Sequence, residues 1–394
     1  MKSKMMIFIP AVSIFAALAG AQSTPAYQVI DLGPTGTPFG DLTSINNAGL
    51  AAGAATAPNG TQYAVLSIGG VMQTIQTGMG GPNSAGGAIN AYGMLLGQAE
   101  TQSLDPNNEN FCGFGTSQQC LAFFWNYGVT TRLPTLGGTN AAFGWINNVG
   151  QAVGIAETAQ RDPECPAGKA INGTGPYVLD FEAVIWGPRP GQIQQLPPLP
   201  GDSVGMALGI NDLGQVVGAS GRCGNTVLPG FAAAPHAVMW DSDGSVHDLG
   251  NLGGTSNPAM LAVGNAALSI NNQGQVTGVS ALPGSQTMHP FLWTSAKGIE
   301  DLGVVSGDLV GAGLSINNLG QVVGASISAP GPAGGNPRAF LWQNGVMSDL
   351  NTLVQANSPL YLLNACAIND VGEITGFGAT STGEVHAFLA IPSH

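Results

Sequence analysis

The chain has 394 residues, among them 60 glycines and 26 prolines, and only 8% of its residues are charged, with a formal net charge of −13. A chain this acidic repels phosphate backbones and anionic lipids, so nucleic acids and membrane surfaces are poor partners. The 44% of hydrophobic residues recur in short β-branched runs. The composition therefore predicts many short strands joined by tight turns.

The N-terminus has the pattern of an export signal. A basic start is followed by the apolar run Met5–Leu18 and the small triplet Ala19–Ala21. This run is too short to span a bilayer, and no second run of spanning length follows. We predict that residues 1–21 are a signal peptide, that the protein is secreted or periplasmic, and that 22–394 form a single repeat domain without a membrane span.

Seven copies of one short unit follow along the chain. Each copy contains an Ile-Asn-x-x-Gly motif, followed by an apolar stretch that ends in another glycine. Asparagine tolerates the left-handed conformation and caps turns, while glycine supplies a positive φ, so the motif predicts a β-hairpin. The seven motifs begin at Ile45, Ile89, Ile146, Ile210, Ile270, Ile316 and Ile368.

A second hairpin completes each copy. Its first strand is an Ala-apolar-apolar-Trp run such as Ala237–Trp240, and its second strand ends in a motif such as Asp248–Gly250. Two hairpins make a four-stranded propeller blade. The last copy stops after Ala387–Leu389, and Tyr27–Gly33 carries the missing strand pattern. We predict an all-β fold, a seven-bladed β-propeller of four-stranded blades, closed by the N-terminal strand completing the last blade.

Strand order also predicts where the connections lie. If the N-terminal strand is outermost, the strand that enters each Ile-Asn motif is innermost. Long connections, such as 99–120 and 155–179, should then all leave from one face, with the short Asn-x-x-Gly turns on the other. We expect a ligand to bind the long-loop face, because the turn face has little chain length from which to build a pocket.

The five cysteines predict two disulfides. Cys112 and Cys120 bracket a short loop, and Cys165 and Cys223 lie in equivalent loops of neighbouring repeats. Disulfides persist in exported chains. Cys366 precedes an apolar repeat position, as a small buried hydrophobic residue would. We predict a Cys112–Cys120 bridge, a Cys165–Cys223 bridge and a buried thiol at Cys366.

The repeat resembles a known family. The triplets His236–Val238 and His386–Phe388, and the Asp-Leu-Gly and Leu-Gly-Gly segments within Asp248–Gly254, are similar to those of the HAF-repeat extracellular proteins, named for a His-Ala-Phe motif. The resemblance covers essentially the whole mature chain, although only His386–Phe388 is the literal triplet. It implies secretion and a repeat architecture and adds no catalytic residue.

Histidines at equivalent repeat positions raise the question of a metal site. Symmetry places them at different points around a ring, whereas zinc ligands must converge within about 2.0–2.3 Å of one ion. We predict no metal site and no cofactor, and we interpret these side chains as groups that pack or bond across strands. From the first to the last repeat, the position holds Tyr63, Leu121, Glu182, His236, His289, Arg338 and His386.

Acidic and aromatic residues of the predicted loop face are the candidates for binding. A glycosidase needs two carboxyl groups about 5–10 Å apart, but no spacing makes any two of these meet, and solvated acidic loops explain them. The aromatic residues offer either a sugar-stacking surface or, as we favour, anchors that hold long loops down. The carboxylates are Asp41, Asp105, Glu109, Glu157, Asp162, Glu164, Asp202 and Asp308, and the aromatic residues are Phe39, Phe111, Phe114, Tyr177, Phe231 and Tyr361.

Three functions remain open. The preferred one is a monomeric, non-enzymatic extracellular binding or scaffold protein, whose unknown ligand is a glycan or a protein. The second is a carbohydrate-active enzyme, a glycoside hydrolase or lyase, with carboxylates at the channel mouth. The third is a purely structural surface protein. The sequence contains no Gly-x-Ser-x-Gly elbow, phosphate-binding loop or His-Glu-x-x-His helix, and no catalytic residue is predicted.

Overall fold

A computed structural model describes residues 27–36, 42–165, 177–223, 234–257, 263–328 and 337–393. The predicted signal peptide and the candidates Phe39, Asp41 and Phe231 lie outside these ranges. No helix in the described part of the chain is both long enough and apolar enough to cross a membrane.

Seven four-stranded antiparallel sheets make a seven-bladed β-propeller, as the repeats predict. Blades are numbered by the Ile-Asn motifs, and each runs from its first to its fourth strand in chain order, except that the N-terminal strand β1 (Tyr27–Pro34) is the fourth strand of blade 7. Blade 1 contains β2 (Leu42–Ile45), β3 (Ala51–Thr56), β4 (Gln62–Ile68) and β5 (Val71–Thr74), and blade 2 contains β6 (Gly80–Ile89), β7 (Leu95–Leu104), β8 (Gln118–Asn126) and β9 (Val129–Arg132). Blade 3 contains β10 (Gly137–Ile146), β11 (Ala152–Arg161), β12 (Leu179–Trp186) and β13 (Ile193–Leu196), and blade 4 contains β14 (Val204–Ile210), β15 (Val216–Gly221), β16 (His236–Trp240) and β17 (Val246–Asp248). Blade 5 contains β18 (Ala266–Ile270), β19 (Val276–Ala281), β20 (Met288–Thr294) and β21 (Gly298–Asp301). Blade 6 contains β22 (Val310–Ile316), β23 (Val322–Ile327), β24 (Arg338–Gln343) and β25 (Val346–Asp349). Blade 7 contains β26 (Tyr361–Ile368), β27 (Ile374–Ala379), β28 (Val385–Pro392) and β1.

The N-terminal strand closes the ring. β1 pairs antiparallel with β28, with Gln28 opposite Ile391 and Asp31 opposite Phe388. Tyr27 is 1% exposed, and its backbone N–H donates to the carbonyl of Leu353 at 2.7 Å. The predicted closure is therefore confirmed, and the strand that completes the last blade is anchored by a buried side chain.

First strands form the inner wall of the ring. Each contacts the first strand of the next blade, and β26 contacts β2 to complete the circle. A β-bulge interrupts the first strand of every blade just before its Ile-Asn motif. Space is tight here: a Cβ on Gly209 would lie 3.1 Å from the carbonyl oxygen of Leu268. The crowding explains why small residues such as Ser269, Ser315 and Ala367 precede the motif on the innermost strands.

Tryptophans tie neighbouring blades together. Trp186 and Trp240 are fully buried, and their indole N–H groups donate to the carbonyls of Pro134 at 2.8 Å and Pro197 at 2.7 Å. Each proline lies in the connection from the preceding blade. The Trp of the Ala-apolar-apolar-Trp run thus fills the space between neighbouring sheets, and its one polar group, the indole N–H, has a hydrogen-bond acceptor.

Connections separate onto two faces, as predicted. In an antiparallel meander, the first-to-second and third-to-fourth connections leave from one end, and the second-to-third and blade-to-blade connections leave from the other. We call the end with the Asn-x-x-Gly turns, such as Asn46–Leu50, the turn face. The opposite end, which includes connections such as 105–117 and 197–203, is the loop face.

Candidate functional site

Asparagine shapes each turn of the turn face by hydrogen bonding. In blade 1, Asn46 Oδ1 accepts from the backbone N–H groups of Ala48 at 2.9 Å and Leu50 at 3.0 Å. The positive φ belongs to Gly49 alone, at 73°. The glycine thus supplies the positive φ and the asparagine caps the turn, as the motif predicts, with the side-chain amide oxygen acting as an internal acceptor.

The same asparagines also form a closed ring between blades. The Nδ2 of each donates to the backbone carbonyl of its equivalent in the next blade, at 2.9–3.2 Å, and Asn369 donates to Asn46 to complete the circle. Sequence reasoning missed this ring, because the partners lie in different repeats. An asparagine kept at this position in all seven copies was the available signal. We call it the asparagine ring: Asn46, Asn90, Asn147, Asn211, Asn271, Asn317 and Asn369.

A second ring lies beside it, formed by the next residue of each turn. Asp212 accepts from the side-chain amides of Asn148 and Asn272, both at 3.0 Å. Asp370 accepts in the same way from Asn318 and Asn47, at 2.9 and 3.1 Å. Blade 2 interrupts this ring, because Ala91 has no polar side chain. Residues of both rings line a cavity of about 150 Å³ at the axial mouth.

A larger groove opens on the turn face between blades 2 and 3, with a volume of about 640 Å³. It contradicts the expectation that this face has too little chain for a pocket. The third-to-fourth connection of blade 3, Gly187–Gln192, is longer than its equivalents and rich in proline, and the Asn-x-x-Gly turn of blade 2 carries Tyr92. Other lining residues are Asn90, Met94, Phe124, Asn126, Val129, Thr131, Leu133, Asn148, Val149 and Gly150.

Exposed apolar side chains surround the axial mouth. The third residue of the Asn-x-x-Gly turn is large and apolar in five blades, and each of these side chains is more than half exposed. Apolar groups grouped in this way mark an interaction surface more often than isolated ones do. The five are Tyr92, Val149, Leu213, Leu319 and Val371.

Disulfides brace the loop face, as predicted. The Cys112–Cys120 bridge closes a loop of blade 2, and the Cys165–Cys223 bridge joins blades 3 and 4. Cys366 is a buried thiol that takes part in neither bridge.

Aromatic residues hold these loops down, which is the interpretation favoured from the sequence. Phe111 and Tyr177 are 1% and 6% exposed, and their rings meet edge to face at 5.6 Å. Tyr177 therefore does not present a binding surface, and Phe114 is half-buried. Tyr361 is exposed and lines a loop-face cavity of about 580 Å³ beside the connection 351–360.

Three of the predicted loop carboxylates converge, contrary to expectation. Asp105, Glu109 and Glu157 are all buried, and one carboxylate oxygen from each lies within 4.8 Å of the others. Their interpretation as solvated loop residues was wrong, because the blade 2 loop folds over the second strand of blade 3. Burial, with repulsion from Glu109, raises the pKa of Glu157 to about 8, and burial also raises the pKa of Glu109.

The other predicted carboxylates do not join this cluster. Asp162 accepts from the Ser203 hydroxyl at 2.9 Å, Asp202 from Ser220 at 2.7 Å, and Asp308 from Ser326 at 2.6 Å. Each ties a loop-face connection to a neighbouring strand or loop. Glu164 is exposed and pairs with Arg222 at 3.1 Å.

The sequence analysis did not identify Glu182, an acidic residue on β12, as a group with a shifted pKa. Glu182 accepts from the Gln195 side chain at 3.1 Å. Burial, together with repulsion from Asp180 and Asp162, raises its pKa to about 8. The pKa of Asp180 is raised as well, chiefly by burial.

The repeated histidines have a structural role. His236 Nδ1 lies 3.0 Å from Asp248, and His386 Nδ1 lies 2.8 Å from Asp31, and His289 pairs with Asp301 in the same way. Each aspartate belongs to the Asp-Leu-Gly motif on the adjacent strand. The prediction that these side chains bond across strands is confirmed. The histidine of one repeat motif pairs with the aspartate of the Asp-Leu-Gly motif.

Comparisons with known proteins add the following. No family model matches the sequence, and no curated protein matches it. Similar solved structures include a chain of the mitotic checkpoint complex, with 12% identity and a TM-score of 0.46 over 99% of this chain and 100% of that one. Porphyromonas gingivalis dipeptidyl peptidase 4 has 12% identity and a TM-score of 0.40 over 87% of this chain, which spans 51% of the peptidase. A variant of the Aleuria aurantia lectin in complex with Fucalpha1-6GlcNAc has 11% identity and a TM-score of 0.36, over 94% and 96% of the chains. None of these likenesses assigns a ligand or an activity to this chain.

Proposed function

We propose that this protein is an exported, non-enzymatic binding module that holds a neutral glycan in the turn-face groove between blades 2 and 3. The observation that carries the proposal is the lining of that groove, which combines aromatic and apolar side chains with uncharged amides and a hydroxyl. Its volume of about 640 Å³ is within the usual range for small-ligand sites, about 300–1,000 Å³.

The lining chemistry suits a sugar. Tyr92 is 71% exposed, and its ring and that of Phe124 offer apolar faces against which the C–H face of a sugar can pack. The amides of Asn126, Asn148 and Gln192 can donate to hydroxyl groups and accept from them. Among the described residues that line the groove, Arg189 is the only charged one; its guanidinium can also donate to sugar hydroxyl groups, and the rest of the lining is neutral.

The setting of the groove supports binding without large rearrangement. Asn90 and Asn148 line it, and they belong to the asparagine ring and the second ring that join the blades. A ligand that enters a preorganised groove loses less free energy to the ordering of side chains and loops.

A binding role, as opposed to a hydrolytic one, is supported by the placement of the acidic residues. Asp105, Glu109 and Glu157 form a close group of carboxylates, but all three are buried beneath the loop face, where a polysaccharide chain cannot reach them. Export is supported by the two disulfides and by the resemblance of the repeats to HAF-repeat extracellular proteins, to which we assign the chain as part of this proposal.

A glycan array probed with the full chain and with Tyr92→Ala tests the proposal. We expect the wild-type protein to bind neutral glycans and Tyr92→Ala to lose at least about tenfold in affinity, because a stacking aromatic contributes about 1.4 kcal/mol or more. Tyr361→Ala is the matched control, since Tyr361 is also an exposed tyrosine but lies on the loop face.

The loop face is a second candidate surface, favoured by its cavity of about 580 Å³ beside Tyr361. If Tyr361→Ala weakens binding while Tyr92→Ala does not, the ligand occupies the loop face and the groove proposal is wrong. Hydrolysis or elimination products from a polysaccharide panel would instead support an enzyme. Absence of binding to glycan and protein arrays alike would leave a purely structural role.

A further inference from the structure

The cluster of Asp105, Glu109 and Glu157 is not part of the groove and has no role in the proposed function. Asp105 and Glu109 belong to the loop between β7 and β8, and Glu157 lies in β11 of the next blade. All three side chains are at most 5% exposed. Among the described residues, no lysine, arginine or histidine forms an ion pair with any of them. Buried carboxylates need a compensating charge or proton.

Neutral donors satisfy only part of the cluster. Glu157 Oε2 accepts from the backbone N–H groups of Thr139 at 3.1 Å and Asn140 at 2.8 Å. Thr139 Oγ1 lies 2.6 Å from Asp105 Oδ2 and 3.0 Å from Glu157 Oε2, but its single proton can serve only one of them. The second oxygen of Glu157, Oε1, is buried and receives no hydrogen bond from a donor group among the described residues. The Glu109 carboxyl lies within hydrogen-bonding reach of the Glu157 side chain, but two ionised carboxylates have no proton to share.

Blade 2 contains a matched arrangement in which the same oxygen is satisfied. Glu100 there accepts from the backbone and side chain of Asn83, as Glu157 does from Asn140. The remaining oxygen of Glu100 accepts from the hydroxyl of Thr116. In blade 3, two further carboxylates lie near the Glu157 side chain, and no hydroxyl among the described residues donates to the corresponding oxygen. Among the described residues, no protein donor therefore fills this position in blade 3.

We propose that Asp105, Glu109 and Glu157 bind one Ca²⁺ ion. Carboxylates without histidine or thiolate ligands suit a hard cation. Mg²⁺ usually keeps several waters, for which a fully buried cluster leaves little room, whereas Ca²⁺ accepts six to eight oxygens in flexible geometry. The ion clamps the β7–β8 connection of blade 2 onto blade 3, where the backbone N–H groups of Val178 and Leu179 also donate to Glu109.

Calorimetric titration of the chelator-treated full chain with CaCl2 tests the site, with Glu157→Gln as the variant and Glu100→Gln as the matched control. We expect the wild-type protein and Glu100→Gln to bind one Ca²⁺ and to melt at a higher temperature in millimolar CaCl2. Glu157→Gln should bind at least about tenfold more weakly and lose most of the rise in Tm. The same concentration of MgCl2 should give a smaller rise in Tm.

Two results would overturn the proposal. One is the absence of both binding heat and a rise in Tm for the wild-type protein at about 10 mM CaCl2, which exceeds the usual Kd range of extracellular calcium sites. That result would leave a proton shared between Glu109 and Glu157 as the neutralising group. The other is an equal response from Glu157→Gln and Glu100→Gln. If Glu157→Gln does not fold, Asp105→Asn replaces it in the same comparison.

Discussion

The two faces of the propeller are held together in different ways. On the turn face, one residue type at one repeat position forms a continuous ring of hydrogen bonds through all seven blades. On the loop face, blades 2 to 4 are held by individual features, namely two disulfides, a buried aromatic pair and a cluster of carboxylates. Repetition thus builds the turn face, whereas departures from the repeat build the loop face.

This difference changes where binding is expected. Loops on a rigid scaffold commonly carry function, but here a cavity of about 640 Å³ lies on the turn face. Tyr92 and the Gly187–Gln192 connection are local departures from the repeat on an otherwise regular surface. Two of the residues that line this groove, Asn90 and Asn148, belong to the hydrogen-bonded rings that join the blades.

Removal of β1 should have the largest effect, since both faces depend on closure. Deletion of Tyr27–Pro34 from the full chain exposes the edge of β28 and removes a buried tyrosine. We expect the single cooperative unfolding transition to be lost, as followed by circular dichroism in denaturant. The milder Tyr27→Ala should lose about 3–5 kcal/mol, while Tyr92→Ala, at an exposed tyrosine, should stay within about 0.5 kcal/mol of the parent. A deleted protein that melts like its parent would refute closure.

Disulfide removal should reveal how much the loop face depends on its cross-links. The Cys165–Cys223 bridge closes 58 residues and the Cys112–Cys120 bridge closes 8. Loop-closure entropy predicts that replacing both cysteines by serine lowers the free energy of unfolding by about 4 kcal/mol for the Cys165–Cys223 bridge and by about 2.5 kcal/mol for the Cys112–Cys120 bridge. Chemical denaturation of the two double variants provides the measurement. Equal losses, or a larger loss from the shorter loop, would contradict this account.

Stability should also depend on pH through Glu182. Its pKa is raised to about 8 in the folded protein, against a reference value of 4.5, so the folded state holds a proton that the unfolded state releases between these values. The stabilisation is complete below about pH 4.5 and is lost as the pH rises to 8, on the order of 3 kcal/mol. Glu182→Gln should reduce the slope of this part of the stability profile, measured by urea unfolding across the range, while Glu157, whose pKa is also raised to about 8, keeps the remainder. Glu164→Gln, at an exposed ion pair, is the control and should leave the profile unchanged.

The asparagine ring should contribute less per residue, because each position is one of seven. Asn317→Ala removes a donor to Asn369 and an acceptor for the backbone of Leu319 and Gln321, and we expect a loss of about 2 kcal/mol. Asn318→Ala, in the second and more exposed ring, should cost less. Thermal unfolding provides the measurement. If the two variants lose equal stability, the asparagine ring has no special role.

The blade architecture was predictable because it is written into each repeat. The Ile-Asn-x-x-Gly motif, the Trp run and the Asp-Leu-Gly strand each specify a local structure, and Tyr27–Gly33 carries the pattern that the last copy lacks. The pairing of His386 with Asp31 follows once those strands are adjacent. Cysteine spacing was likewise sufficient for both bridges, since equivalent loops of neighbouring blades lie side by side.

The candidate sites were not predictable, because they depend on contacts between repeats. Nothing in the spacing of Asp105 and Glu157 indicates that one blade's loop covers the next blade's second strand. The ring of asparagines requires seven turns at one radius, and the groove depends on the path of Gly187–Gln192. Each of these is set by packing between blades, which a single repeat does not specify.

Native-state hydrogen exchange tests the contrast between the two faces most directly. The experiment follows exchange at increasing denaturant concentrations that remain below the unfolding transition. The backbone amides that donate to Asn Oδ1 in the turns should all exchange together, with an opening free energy equal to that of global unfolding. Examples are the amides of Leu50, Gln321 and Glu373. Loop-face amides such as those of Asn107 and Gly115 should exchange earlier. Turn amides that exchange blade by blade, well below the global unfolding free energy, would show that the ring does not join the blades into one unit.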